Sequence, residues 1–239
     1  MIQSPFANLP PVVKNLLIIN ILVFLPSIYY SHNFADPNFD PVASMFGVYY
    51  FNSPNFRIWQ LITYMFVHGG WTHIIFNMFA LYSFGTPIEY IMGSKKFFNF
   101  YFICGLGAIA LQMLVQAIEV HTITGSFVAP FKNSLISPES FEHLKAIYEG
   151  PMVGASGAIF GILIAFGMIY PNAELLIFFI PVPVKAKYII PVYVIIEVIL
   201  GLGQFGGDNV AHFAHLGGAL LGYFLVKFWH LQGPRNFYN

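Results

Sequence analysis

From Val12 to Tyr30 the chain runs nineteen residues with a single charge, Lys14, and stretches of that kind recur along its length. About 20 consecutive apolar residues in a helix cross the hydrocarbon of a bilayer. There, backbone amides must be satisfied internally, so a spanning segment is a helix or part of a closed barrel. Five further stretches have this character: 72–89, 97–119, 154–170, 187–203 and 210–230. Charged residues make up 8% of the 239 and hydrophobic ones 57%, where a soluble domain carries about 25% charge. A chain so poor in charge cannot dress a soluble surface of this size. The expectation is a single-domain, all-α polytopic membrane protein of six transmembrane helices, with the lipid bilayer as its first partner.

Six spans put both termini on one side. With the N-terminus inside, the cytoplasmic segments hold Lys14, Lys95, Lys96, Lys185, Lys187, Lys227 and Arg235, against Arg57, Lys132 and Lys145 outside. Seven against three favours N-in/C-in. Ten basic and ten acidic residues cancel, leaving no electrostatic footprint for nucleic acid. The first residues lack a basic region and a cleavage site, so the first span is expected to be uncleaved. The lone Cys104 has no partner for an internal disulfide.

Two outside loops are long, 31–71 and 120–153. The first carries the mostly apolar FRIWQLITYMFV, which suits a helix lying in the interface. In the second, Ser137 or Ser140 can cap a short helix.

The fourth span opens with GASGAIF, residues 154–160. Gly154, Gly157 and Gly161 recur at i, i+3 and i+7, and Gly157 and Gly161 make a GxxxG pair that lets another helix approach closely. Ser156 within it reads in two ways: a small residue at a helix contact, or a nucleophile. The span is short, so Ser156 is expected several ångströms below the outer surface, where loop backbone survives only against protein or a wet cavity. Such a cavity would supply the water that a hydrolase needs.

The sixth span begins HFAHLGGALLGY, with His215, Gly218 and Gly222 repeating the same spacing. Two small-residue faces can pack backbone to backbone and bring His215 to Ser156 as a general base. His212, one turn nearer the outside, is the rival base. Phe160 lies one turn below Ser156 and can either stack on an imidazole or simply pack.

In VHGGWTHIIFN, Gly69 and Gly70 break the chain ahead of the second span, and His73 and Asn77 stand i, i+4 on one face. Acyl transfer needs hydrogen-bond donors where the carbonyl oxygen turns negative. His73, Asn77 and the backbone N–H groups of Ser156 and Ala155 complete the parts of a serine hydrolase. Four histidines, His68, His73, His212 and His215, also raise a metal site. No HExxH occurs and no carboxylate stands at ligand spacing from them, so neither a metal nor another cofactor is expected.

Together, GxSG at Gly154-Ala155-Ser156-Gly157, the HxxGxxxG of His215, Gly218 and Gly222, and the HxxxN of His73 and Asn77 resemble the rhomboid family of intramembrane serine proteases. Three motifs lie in order on three of six spans, and the resemblance covers essentially the whole chain. It implies a rhomboid-like six-helix bundle and a Ser156–His215 dyad with no buried acid as third member. It implies an oxyanion held by His73, Asn77 and the Ser156 amide. It further implies membrane-protein substrates whose transmembrane helices unwind near a small residue. Glu89, near Gly93 and Lys95, also fits the family and is taken as structural. The family often has Trp-Arg in its first outside loop, where this chain has Trp59-Gln60, with Arg57 displaced.

On the mechanism this suggests, substrate enters between the second and fifth spans, and GLGQFGGDN, 201–209, is either a mobile cap or a plain connector. Glu197, within the fifth span, is the ionisable residue without an assigned role and is expected to be protonated and bonded to a neighbouring helix; facing His215, it would turn the dyad into a triad. The alternative to a protease is a non-proteolytic scaffold or a transporter, although no paired repeat is evident. The compact form resembles bacterial members, so a bacterial cytoplasmic membrane is expected.

Overall fold

The computed structural model describes residues 9–33, 40–127, 136–177, 180–203 and 210–233. Helix α1 (Pro11–Asn33) starts with proline at its first position, where no amide donor is required. The next two amides, Val12 and Val13, donate to Glu89 Oε1 and Oε2 at 3.0 and 2.7 Å. Glu89 is buried, and its Oε1 also accepts from Ser94 Oγ at 2.7 Å. The carboxylate therefore satisfies N–H groups that α1 leaves open at its own start. That is the structural task expected of it.

Short helices α2 (Pro41–Phe46) and α3 (Gln60–Thr63) lie in the first long loop, and α3 runs on into a 3₁₀ turn, Tyr64–Phe66. The loop is tied to the bundle: Tyr64 Oη donates to Gly105 O at 2.7 Å, and Val48 pairs with Met152. Gln60 is fully buried. Its Oε1 accepts from Arg57 N at 2.8 Å, while its amide donates to Asn55 O at 3.2 Å and Met45 O at 3.4 Å. A neutral amide thus knits the loop from within, and Arg57 donates outside it to Pro54 O and Phe56 O.

The stretch expected as the second span is a broken helix. Helix α4 (Trp71–Ala80) passes through a wider π turn, Leu81–Gly85, into α5 (Thr86–Met92). Pro87 gives the physical reason, since a proline has no amide for the regular ladder and its ring crowds the carbonyl four residues back. Helix α6 (Ser94–Thr124) runs beyond both ends of the expected span and stops at Gly125, whose φ of +71° closes it with an N–H bond to His121 O at 2.8 Å. Helix α7 (Pro138–Glu149) is capped by Ser137, whose Oγ accepts from Ser140 N at 3.2 Å.

Helix α8 (Ser156–Ile169) has 14 residues and α10 (His212–Phe228) has 17. Between α8 and α9 (Ala186–Gly203), strands β1 (Glu174–Ile177) and β2 (Ile180–Lys185) pair antiparallel, Glu174 against Lys185. By length and composition α1, α6 and α9 can each cross a membrane.

The core is the α6–α8–α10 trio, with α8 at the centre. Its packing follows from the glycines. A Cβ on Gly218 would overlap the Gly157 carbonyl, and one on Gly222 would fall 2.6 Å from Gly161 Cα. The two GxxxG pairs therefore meet directly, and only hydrogen-sized side chains allow it. Helix α9 is peripheral. It turns Ala186, Ile190, Glu197 and Gly201 inward, while Tyr193, Ile195 and Ile199 stay exposed.

Candidate active site

Gly154 belongs to the approach to α8 and not to its helical stripe, which corrects the expected i, i+3, i+7 run. Its φ is +129°, a region that favours glycine, and its N–H donates to Tyr64 O at 2.9 Å. There is a second reason for glycine. A Cβ here would sit 2.7 Å from His73 Nε2 and 3.6 Å from Ser156 Oγ. Ala155 takes the cap position and Ser156 is the first helical residue. Their amides thus fall where helix N–H groups have no partner within the helix.

The close α8–α10 crossing carries His215 to Ser156. His215 Nε2 lies 2.8 Å from Ser156 Oγ. Its ring stacks on Phe160, with centroids 4.4 Å apart and planes 7° from parallel. His212 does not reach the serine: its Nδ1 lies 2.6 Å from Glu197 Oε2.

That same Glu197 oxygen lies 2.9 Å from His215 Nδ1. An ionised carboxylate only accepts, so with Glu197 ionised both imidazoles donate from Nδ1. In that form His215 Nε2 is unprotonated and able to accept the Ser156 hydroxyl proton. One expectation is corrected: a buried acid does stand behind the histidine, and Glu197 is bonded to a neighbouring helix as expected. The acid that sequence spacing did not supply to the histidines comes from a different helix. Glu197, His212 and His215 also bring three ligand-type atoms within 4.8 Å of one another, at the lengths of hydrogen bonds.

On α4, His73 Nδ1 accepts from Gly69 N at 3.4 Å, which puts its proton on Nε2, the atom facing Gly154. Asn77 is buried, and its Nδ2 has no hydrogen-bond partner among the described residues. An orphaned buried donor is costly unless something arrives to use it. Asn77 and Ser156 line one cavity of about 480 Å³. Its walls are otherwise apolar, with Phe76 and Phe79 of α4 on one side and Ile190, Tyr193 and Val194 of α9 on the other. His68, in the loop ahead of α4, has its pKa lowered to about 3 by burial and then by His73 beside it, so it stays neutral. The cap proposed over 201–209 falls largely outside the described residues, at 204–209.

Sequence reasoning missed one feature of this site and left a second without a direction. Tyr64, whose carbonyl pins Gly154, sits in a loop with no motif. Glu197 was noticed, yet only its place on the inward face of α9, with Ile190 and Gly201, could have aimed it.

The sequence has relatives among known proteins. The chain is 30% identical over 173 residues to the mitochondrial Rhomboid protein 1 of Saccharomyces cerevisiae, covering 72% of this chain and 42% of that protein. It is 31% identical over 212 residues to the mitochondrial RHOMBOID-like protein 12 of Arabidopsis thaliana, covering 87% and 55%. It is 30% identical over 169 residues to Rhomboid protease GluP of Bacillus subtilis, covering 70% and 25%. The chain thus spans from a quarter to about half of the length of these relatives. Relatives from fission yeast and zebrafish are also named as mitochondrial. The mitochondrial names of most of these relatives overturn the expected bacterial cytoplasmic membrane. The family model described as Rhomboid domain matches residues 55–231, which take in Ser156, His215, His73 and Asn77 alike, and the chain belongs to the rhomboid family.

Proposed function

We propose that this chain is an intramembrane serine endopeptidase that cuts transmembrane helices of membrane-protein substrates, within a mitochondrial membrane. The observation that carries the reading is the 2.8 Å contact of His215 Nε2 with Ser156 Oγ, on the lining of a largely apolar cavity. The bundle crosses the membrane six times, N-in and C-in, and the 14 residues of α8 rise about 21 Å, short of a hydrocarbon core of about 30 Å. Ser156 then lies below the headgroups.

A substrate helix enters between α4 and α9 and frays into the cavity. His215 takes the hydroxyl proton, and Ser156 Oγ attacks the peptide carbonyl. Asn77 Nδ2, His73 Nε2 and the amides of Ser156 and Ala155 receive the developing oxyanion. His215 returns the proton to the leaving amine, and water, activated by the same imidazole, releases the acyl group from Ser156.

Labelling with a fluorophosphonate probe tests the nucleophile. Purified protein is expected to be labelled at Ser156, and His215→Ala is expected to lose labelling. Label on another residue, or equal label in Ser156→Ala, would reject the reading. The chemistry draws on no metal, so labelling is expected to survive a chelator.

A further inference from the structure

The reaction above leaves one buried ionisable cluster without a task. Glu197 is 9% exposed and His212 is 7% exposed, both on inward faces of their helices. Helix α9 can bring the carboxylate close because Gly201, one turn on, faces the start of α10: a Cβ there would fall 3.2 Å from His212 Cβ. One oxygen, Oε2, then meets His212 Nδ1 at 2.6 Å and His215 Nδ1 at 2.9 Å.

We propose that Glu197 is a positioning residue for His215, making a Ser156–His215–Glu197 system in which His212 anchors the carboxylate. The proposal rests on the reading of Ser156 as nucleophile and His215 as base. The carboxylate holds the Nδ1–H tautomer, so that the lone pair on Nε2 is aimed at the hydroxyl. Phe160 fixes the ring plane and Glu197 fixes its rotation within that plane. When the proton passes from Ser156 Oγ to His215 Nε2, the imidazole becomes a cation in an apolar surround. An unpaired charge there is strongly disfavoured, and the adjacent carboxylate offsets it. Glu197 keeps its own charge throughout and takes no proton. His212 donates from the other side, which prevents the carboxylate from swinging away as His215 changes charge.

A clasp joining α9 to α10 would use the same bonds without touching catalysis, and the test separates the two. Full-length protein, wild type and Glu197→Gln, is assayed with a fluorescent transmembrane substrate in liposomes. The expected result is a kcat lower by about 10²-fold or more in Glu197→Gln, with KM little changed. Fluorophosphonate labelling of Ser156 should slow in parallel, and His212→Ala should lose far less. An unchanged kcat in Glu197→Gln would overturn the proposal while leaving the nucleophile and base standing. Inactive wild type, or an active Ser156→Ala, would instead sink the protease reading itself. Should Glu197→Gln fail to fold, nitrogen-15 resonances of the wild-type histidines give the answer directly. His215, assigned by its loss in His215→Gln, is expected to be protonated on Nδ1; protonation on Nε2 overturns the proposal.

Discussion

Phe160 and His215 stack face to face across the α8–α10 crossing, 4.4 Å between centroids and 7° from parallel. An aromatic face so placed restrains tilt of the imidazole without competing for either nitrogen. Stacked pairs of this kind contribute about 0.5–1.5 kcal/mol beyond the area they bury.

Phe160→Ala and Phe160→Leu are therefore both expected to lower kcat, by about tenfold at the upper end of that range. Leucine restores apolar bulk but no ring, whereas Phe160→Tyr should keep most of the activity. Steady-state cleavage by the three variants checks it. Full activity in Phe160→Leu would reduce the contact to simple packing.

The buried Nδ2 of Asn77 has no partner among the described residues, as suits a donor kept for the oxyanion of the proposed reaction. Asn77→Ala is expected to cost about 10²–10³-fold in kcat, with little change in KM. Relieving an orphaned donor should leave the melting temperature level or raised. A lower melting temperature with unchanged kcat would assign Asn77 to structure.

The crossing that sets the Ser156–His215 distance depends on Gly222, where an added Cβ would fall 2.6 Å from Gly161 Cα. Overpacking of a tight contact costs about 1–3 kcal/mol, and the helices here are pressed apart at the backbone. Gly222→Val should lower thermal stability in detergent by that order and reduce cleavage, because the serine and histidine ride on the two helices that separate.

Far from the site, Glu89 takes the amides of Val12 and Val13 and the Ser94 hydroxyl. Hydrogen bonds to a charged group contribute about 1.5–3 kcal/mol each. Glu89→Ala should thus destabilise the fold by on the order of 3 kcal/mol, read by thermal unfolding, and Glu89→Gln by less. Unfolding unchanged in both would remove its capping role.

Much of this arrangement was legible beforehand because membrane helices advertise their contacts. Small residues at i and i+4 mark where backbones can touch, and on both α8 and α10 that stripe runs into a polar side chain. Spacing could say that Ser156 and His215 were able to meet. It could not say where α9 would stand, since IIEVILG is apolar on every side of Glu197 and no periodicity gives the helix a direction. The β1–β2 hairpin was hidden for a related reason: LLIFFIPVPV reads only as an apolar connection. Gly154 fits a helical stripe by counting alone; its positive φ goes with a bond to Tyr64 O, a contact between residues 90 apart in sequence. The break at Leu81–Gly85 was visible only as Pro87, a residue membrane helices often absorb.

The most direct test is cleavage of a fluorescent transmembrane-helix substrate by the purified protein in liposomes, alongside Ser156→Ala and His215→Ala shown by thermal unfolding to be folded. The account predicts cleavage by the wild type and none above background in either variant. Cleavage by Ser156→Ala at the wild-type rate would contradict it.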